Sequence, residues 1–296
     1  MINVHDFLQS QGEDYKKLSF KDLLFVHYRC PQEEQYATLY THLNYFLYVM
    51  HGKKTFYHPG RVYALNEGTC AFIRKGGFTQ ERFFDTDWQL MAFFVPDNYL
   101  WNFVAEYRSS LPVRPLTRPI DEQVVTLHVN ELSRAFFDSM VPYFFETPAV
   151  PEHLVEMKFR EMIFLLLSDP RNQPLLSLVS LLDQRQLNLR EVMETNYRYN
   201  LSLEEFARIA NRSLSAFKRE FLAVYKVPPG KWLLNKRLDL AELLLCSSAK
   251  PVSDIVEECG FESQTHFNRV FKQRFGAAPL HHRVQKQLAI KDEPRR

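Results

Sequence analysis

Residues 203–229 read LEEFARIANRSLSAFKREFLAVYKVPP, and residues 252–279 read VSDIVEECGFESQTHFNRVFKQRFGAAP. Laid over one another, they are one pattern written twice. Leu203, Phe206, Ala207 and Ala210 fall on Val252, Ile255, Val256 and Cys259 at an offset of 49, and Phe217, Arg219, Phe221, Tyr225 and Pro229 fall on Phe267, Arg269, Phe271, Phe275 and Pro279 at an offset of 50. The second copy therefore has one extra residue in its turn. Apolar positions at i, i+3, i+4 and i+7 make the first element of each copy a helix with one buried face, and the aromatic stripe recurring every four residues makes the second element another. Two helices joined by a three- or four-residue turn form a helix-turn-helix, here at about 201–226 and again at 250–276. Between them, residues 230–247 read as one amphipathic helix (Trp232, Leu233, Leu238, Ala241, Leu244, Leu245), roughly 27 Å long at 1.5 Å per residue. A rod of that length can hold two recognition helices about one B-DNA turn apart, on the order of 34 Å, which favours a duplex over a single strand.

The rest of the 296-residue chain differs from this end. Residues 188–296 carry 19 Lys and Arg against 13 Asp and Glu, whereas residues 1–187 carry 18 against 22, so the formal net charge of +2 hides a basic part and an acidic one. Aromatics divide the other way, with 31 of 42 in the first 187 residues. A polyanion-binding module joined to a sensing or assembly module has this asymmetry; a solvated basic face produces the same count. The length suits about two domains. The longest apolar run, residues 162–167, is far short of the roughly 20 residues a membrane helix needs, so no membrane partner is expected. The first residues show no basic segment followed by an apolar stretch, and Cys30, Cys70, Cys246 and Cys259 form no CxxC pair. A cytoplasmic protein with reduced thiols is expected.

From about residue 20 to 96, segments 22–28, 45–50, 69–73 and 88–95 are rich in aromatic and β-branched residues and are punctuated by His51-Gly52, Pro59-Gly60, Glu67-Gly68 and Gly76-Gly77. Short strands at this spacing predict a β-sandwich or barrel. After Pro119 the pattern turns helical, over 131–145 and 151–167, with Pro151 in a tolerated first-turn position. A short helix follows from 175 to about 182, and residues 183–186 are the linker candidate. Two domains result, 1–187 and 188–296.

The C-terminal motifs resemble those of the AraC/XylS transcription regulators. The resemblance rests on Leu203-Glu-Glu-Phe-Ala207, on Ser213-x-x-x-Phe217-x-Arg219-x-Phe221, and on Pro229-x-x-Trp232-Leu-x-x-x-Arg237-Leu-x-x-Ala241. The second copy adds Ile255-Val-Glu-Glu-Cys-Gly-Phe261, Phe267-Asn-Arg-Val-Phe-Lys272 and Phe275-Gly-x-x-Pro279-x-x-x-Arg283. Val256 stands where Ala is common and His282 where Tyr usually precedes the final Arg, which puts packing at the C-terminal edge in question. The stretch Asn66-Glu-Gly-Thr-Cys-Ala-Phe-Ile-Arg-Lys-Gly76 is similar to the cupin-like regulatory domains of the ExsA-type branch. The resemblance implies an α+β chain of two domains: a cupin-like β-barrel or sandwich followed by helices, then an all-α double helix-turn-helix. It further implies a sequence-specific activator of transcription, not an enzyme. Such a protein binds double-stranded promoter DNA as a homodimer, works with RNA polymerase, needs no cofactor, and is controlled by a small-molecule effector or antagonist protein at its N-terminal domain. The rival reading is a cupin-type small-molecule-binding protein or enzyme with an accessory DNA-binding tail.

In the first recognition helix Phe217, Phe221 and Tyr225 must face the core, which turns Ser215, Lys218, Arg219 and Leu222 outward. Arg and Lys donate to guanine O6 and N7 or to phosphate, and Ser to base edge or backbone. By position in the family motif, Ser215, Lys218 and Arg219 fall where such contacts are made; solvated surface charge is the plain alternative. The second recognition helix starts at Glu262 or Ser263 as N-cap and turns out Gln264, Thr265, Asn268 and Arg269. Gln and Asn pair with adenine and Thr touches a thymine methyl, while Arg269 suits bracing or phosphate as well as base readout. Lys272, Arg274 and Arg283 read as backbone contacts or solvated charge. In the first module Arg61, Arg74, Lys75 and Arg82 suit either the mouth of an anion site or plain surface. Leu154, Met157 and Leu165, on a segment apolar on more than one helical face, are candidates for a dimer contact. A metal-dependent cupin needs an HxH pair, which His27, His42, His51 and His58 do not form, so no metal is expected. Neither a Gly-rich phosphate loop nor a GxSxG elbow is present.

Overall fold

The structure is a computed structural model and describes residues 1–10, 15–29, 34–112, 122–145, 150–180 and 189–291. Cys30 and the linker candidate at 183–186 lie outside the described residues. The chain divides into two compact units, Met1–Gln186 and Leu187–Arg296.

The first unit opens with a two-residue strand β1 (Ile2–Asn3) and helix α1 (Val4–Ser10). A run of strands follows: β2 (Lys16–Phe20), β3 (Leu23–Arg29), β4 (Tyr36–Thr41), β5 (Asn44–His51), β6 (Lys53–His58), β7 (Arg61–Asn66), β8 (Cys70–Ile73), β9 (Gly76–Arg82) and β10 (Gln89–Val95). Helix α2 (Asp97–Glu106) and strand β11 (Val124–Leu127) precede three helices, α3 (Glu131–Met140), α4 (Glu152–Ser168) and α5 (Gln173–Ser180). The strands form two separate sheets, ordered β1-β4-β9-β6-β7 and β11-β8-β5-β10-β3-β2. Of the two architectures expected, the sandwich is what forms, and no barrel closes.

Side-chain alternation gives the physical reason. Along β10, Leu90, Ala92 and Phe94 enter a core shared with Phe56, Leu65 and Phe78 of the five-stranded sheet. Met91, Phe93 and Val95 point the other way, into a core with Phe103, Phe137, Phe159 and Leu166 of the helices. The same split runs down β5, where Tyr45, Leu47 and Val49 take one side and Phe46 and Tyr48 the other. A sheet apolar on both faces must be covered on both, whereas a small closed barrel offers one interior. The result is three layers, sheet on sheet on helices, and most of the aromatic excess is consumed by two cores, with Tyr36, Phe84 and Phe145 left exposed.

Three elements depart from expectation. The helix expected over 131–145 stops at Met140, and a 3₁₀ turn, Pro142–Phe144, takes over. Pro142 has no N–H to donate and its ring crowds the preceding turn. Val124–Leu127, in the region that reads as turning helical, is a strand paired with β8, as the β-branched Val-Val-Thr run favours. Helix α2, unforeseen, starts directly after Pro96 and buries Leu100, Phe103 and Val104. Arg61 pairs with Glu122 at 3.0 Å and Lys75 with Asp97 at 2.5 Å, so two of the four candidate mouth cations are engaged by acids. Lys75 belongs to a polar knot at the start of β5: Asn44 accepts from the Lys75 backbone N–H at 3.0 Å and donates to Asp97 at 2.5 Å.

The second unit is helical: α6 (Leu189–Asn196), α7 (Leu203–Ile209), α8 (Leu214–Tyr225), α9 (Pro229–Ser247), α10 (Val252–Glu258), α11 (Gln264–Phe275) and α12 (Pro279–Lys291). The connecting helix α9 begins one residue earlier than the pattern suggests, with Pro229 at its first position, where a missing N–H costs nothing.

Candidate nucleic-acid interface

The sequence repeat is reproduced in the backbone turns and recognition-helix caps, and the two copies differ at the start of their first helices, where α10 follows Pro251 without a side-chain cap. Helix α7 is opened by a capping box: the Ser202 hydroxyl accepts from the Glu205 N–H, while the Glu205 carboxylate accepts from the Ser202 N–H at 2.6 Å. After α7 the chain turns through Asn211 at φ 55°, and after α10 through Gly260 at φ 78°. The Arg212 N–H donates to the Ala207 carbonyl at 2.9 Å, and its counterpart, the Phe261 N–H, donates to Val256 at 3.0 Å. Both recognition helices carry a serine N-cap, Ser213 accepting from the Ala216 N–H and Ser263 from the His266 N–H. Both end on a left-handed residue, Lys226 at φ 56° and Gly276 at φ 79°.

The aromatic stripes hold these helices down. In the first copy Phe217 and Phe221 are fully buried, and Phe221 stacks on Tyr225 with ring centres 4.4 Å apart and meets Trp232 of α9 edge-on. In the second, Phe261, Phe267, Phe271 and Phe275 run in a chain of ring contacts. His282 completes it: the buried ring packs against Phe271 and Phe275 at 5.5 Å and shares a 3.1 Å hydrogen bond with Glu242. The unusual residue at the C-terminal edge is thus accommodated in the core, its polar nitrogen bonded.

With one face of each helix committed, the other is set. Ser215, Lys218, Arg219 and Leu222 of α8 are exposed, as are Gln264, Thr265, His266, Asn268 and Arg269 of α11. Among the described residues, no side-chain hydrogen bond or ion pair engages Ser215, Lys218, Arg219, Gln264, Thr265, Asn268 or Arg269. Several other cations of the unit are occupied, while Lys226, Lys231 and Lys272 are exposed. Arg212 pairs with Glu220 at 2.6 Å, and Lys236 pairs with Glu194 at 2.8 Å. Arg274 binds Asp239 and the Asn235 carbonyl, and Arg283 donates to the carbonyls of Leu245 and Lys250 at 3.1 and 2.7 Å. Arg274 therefore braces the middle of α9, and Arg283 caps its last turn and the chain just beyond it, where carbonyls lack helical partners.

Sequence patterning alone did not single out the role of Arg237. Its Nε and Nη2 donate to the carbonyls of Tyr197 and Tyr199 at 2.8 and 2.6 Å, tying α9 to the segment before α7. Burial holds its guanidinium pKa down to about 10. It also backs Gly260, where a Cβ would sit 2.5 Å from the Arg198 carbonyl oxygen and 3.2 Å from Arg237 Nε. The signal available in sequence was its place in the Pro229-to-Ala241 motif. Cys259 is buried beside it, and burial pushes the thiol up to about 12.

Residues 44–178 match the ExsA N-terminal regulatory domain family, and residues 206–285 match a helix-turn-helix domain family. The thermoregulatory protein LcrF of Yersinia pestis is 26% identical over 242 residues, covering 81% of this chain and 89% of LcrF. The virulence regulon transcriptional activator VirF of Yersinia enterocolitica gives the same identity and the same coverage, 26% over 242 residues, 81% and 89%. Among solved structures, ToxT from Vibrio cholerae spans 89% of this chain and 98% of its own at 14% identity and a TM-score of 0.38.

Proposed function

Because the chain belongs to the AraC/XylS family of DNA-binding transcription regulators, with an ExsA-type N-terminal domain, we propose that it activates transcription by setting α8 and α11 into successive major grooves of a promoter duplex. The observation that carries this reading is the set of seven exposed, unengaged polar side chains on the two recognition helices, in a unit where Arg212, Lys236, Arg274 and Arg283 are all tied to internal partners. Lys218 and Arg219 serve as guanine or phosphate donors; Gln264 and Asn268 read adenine; Thr265 meets a thymine methyl; Ser215 and Arg269 hold the backbone. Helix α9 has 19 residues, about 28 Å at 1.5 Å each, and so spaces the two readers close to one turn of B-DNA.

The chain works by binding rather than catalysis, in the cytoplasm where its DNA is, and as a homodimer that also meets RNA polymerase. Among the described residues no helix is long and apolar enough to cross a membrane. We assign the dimer contact to α4, whose Met157 stands 65% exposed while Val155, Phe159, Met162 and Ile163 are buried beneath it. The first unit receives a small-molecule effector or an antagonist protein. VirF, named a transcriptional activator, supports the sign of regulation. Hydroxyl-radical footprinting of a bound promoter fragment is the test. Two protected segments about one helical turn apart are expected per chain, in a two-fold pair for the dimer; protection of a single segment overturns the reading.

A further inference from the structure

Strand β1 pairs in parallel with β4, Ile2 opposite Leu39 and Asn3 opposite Tyr40. That pairing carries the first turn of α1 to the end of β4 and brings the adjacent His5 and Asp6 together with His42, 36 residues further on. Nδ1 of His5 lies 3.1 Å, and Nδ1 of His42 3.9 Å, from the same Asp6 carboxylate oxygen. One ligand atom from each of the three lies within 4.8 Å of the others. Among the described residues this is the one place where three such side chains converge. Zinc bonds of 2.0 to 2.2 Å to imidazole and carboxylate in a tetrahedron put neighbouring donors about 3.3 Å apart, so closing this triangle on an ion takes shifts of about an ångström.

The surroundings suit a held ion. The His5 ring meets the His42 ring edge-on at 5.0 Å and the buried Phe94 at 5.2 Å, which fixes its plane. Side-chain exposure is 11% for His5 and 16% for His42 but 42% for Asp6, so the site opens to solvent on the carboxylate side alone. Asn3 donates to His42 Nδ1 at 2.9 Å, a bond that an ion on that lone pair replaces. Two imidazoles and one carboxylate are borderline donors suited to zinc and its first-row neighbours rather than to calcium or magnesium.

We propose that His5, Asp6 and His42 bind a divalent first-row transition metal, Zn(II) foremost, with water in the fourth position, and that the ion staples β1 and α1 to β4. This makes the fold of the regulatory unit sensitive to metal, apart from any DNA contact. The experiment uses the full chain, stripped with a chelator and titrated with Zn(II), and with Co(II) as a spectroscopic reporter of tetrahedral coordination. One equivalent is expected to bind with a tetrahedral Co(II) spectrum and to raise the thermal midpoint. In Asp6→Asn and in His42→Gln that equivalent is expected to weaken by at least about 100-fold, more than loss of an outer-shell partner costs. Asp6→Asn changes a partly exposed group, and its circular dichroism should match the parent. No tight equivalent in the parent chain, or the same tight binding in a folded Asp6→Asn variant, overturns the proposal.

Discussion

The two helix-turn-helix units share one skeleton and differ in what they hang on it. The first turns through the exposed Asn211; the second turns through Gly260 with the Arg198 carbonyl and the Arg237 guanidinium pressed against it. Outside, the first offers Ser215, Lys218 and Arg219, and the second offers Gln264, Thr265, Asn268 and Arg269. The first unit weighs toward charge, which any phosphate satisfies, and the second toward amides and a hydroxyl, which need a particular base edge, beside Arg269. The division predicts that affinity and specificity are separable along the chain.

The sharpest way to break this comparison is at the turns. Gly260→Ala meets both a left-handed backbone and a backbone oxygen 2.5 Å away, and is expected to destabilise the second unit by about 3 kcal/mol or more. Asn211→Gly, at the equivalent turn, is expected to change stability by only a few tenths of a kcal/mol. Denaturant melts of the two variants compare the turns directly; equal losses would mean that the crowding behind Gly260 is relieved elsewhere.

On the outer faces the expected effects are smaller and differ in kind. Replacing Lys218 or Arg219 with Ala should weaken binding to every sequence and flatten the slope of log affinity against log salt by about 1 for each phosphate no longer neutralised. Replacing Gln264 or Asn268 with Ala should leave that slope alone and cost about 1 to 3 kcal/mol on the preferred site only. A matched set of titrations at several salt concentrations, on specific and scrambled duplexes, distinguishes the two. If Asn268→Ala flattens the salt slope as Arg219→Ala does, the division of labour is wrong.

The smallest effect lies at the helix ends. Lys226→Gly relieves a left-handed lysine and should stabilise the first unit by up to about 1 kcal/mol, while Gly276→Ala should cost a similar amount, since open space surrounds its Cβ and only the backbone objects. Thermal midpoints that move in opposite directions would sharpen the equivalence of the two ends.

How much of this was legible beforehand follows from the range of each interaction. The second unit is built from local periodicity, so Phe217, Phe221, Phe267 and Phe271 announce its buried faces and, by difference, the exposed readers. The roles of Arg274 and Arg283 were not legible, because the α9 groups each one binds lie nearly 40 residues away in the chain. In the first unit, strands β3, β5, β8 and β10 follow from their aromatic and β-branched runs. That both faces of these strands are buried does not, since an apolar run reads alike for a barrel wall and for a middle layer. The triad escapes a search by spacing because a parallel strand pairing, invisible in sequence, is what sets His42 beside His5 and Asp6.

The middle layer has a cost in folding fidelity. Where one face of a sheet is wet, sliding a strand by one residue drowns its polar side chains, and that penalty polices the alignment. In β10 a slip merely exchanges Phe93 for Phe94 and Met91 for Ala92, leaving grease against grease on either side. Polarity is silent there, so alignment must be enforced at the strand ends. The knot of Asn44, Lys75 and Asp97 can enforce it, because it joins the start of β5, the segment just before β9 and the first residue of α2 through bonds that a one-residue shift would leave buried and unmet. Removing Asn44 would then loosen the proofreading of the whole sandwich, and the damage would surface first as misaligned, aggregation-prone chains during synthesis.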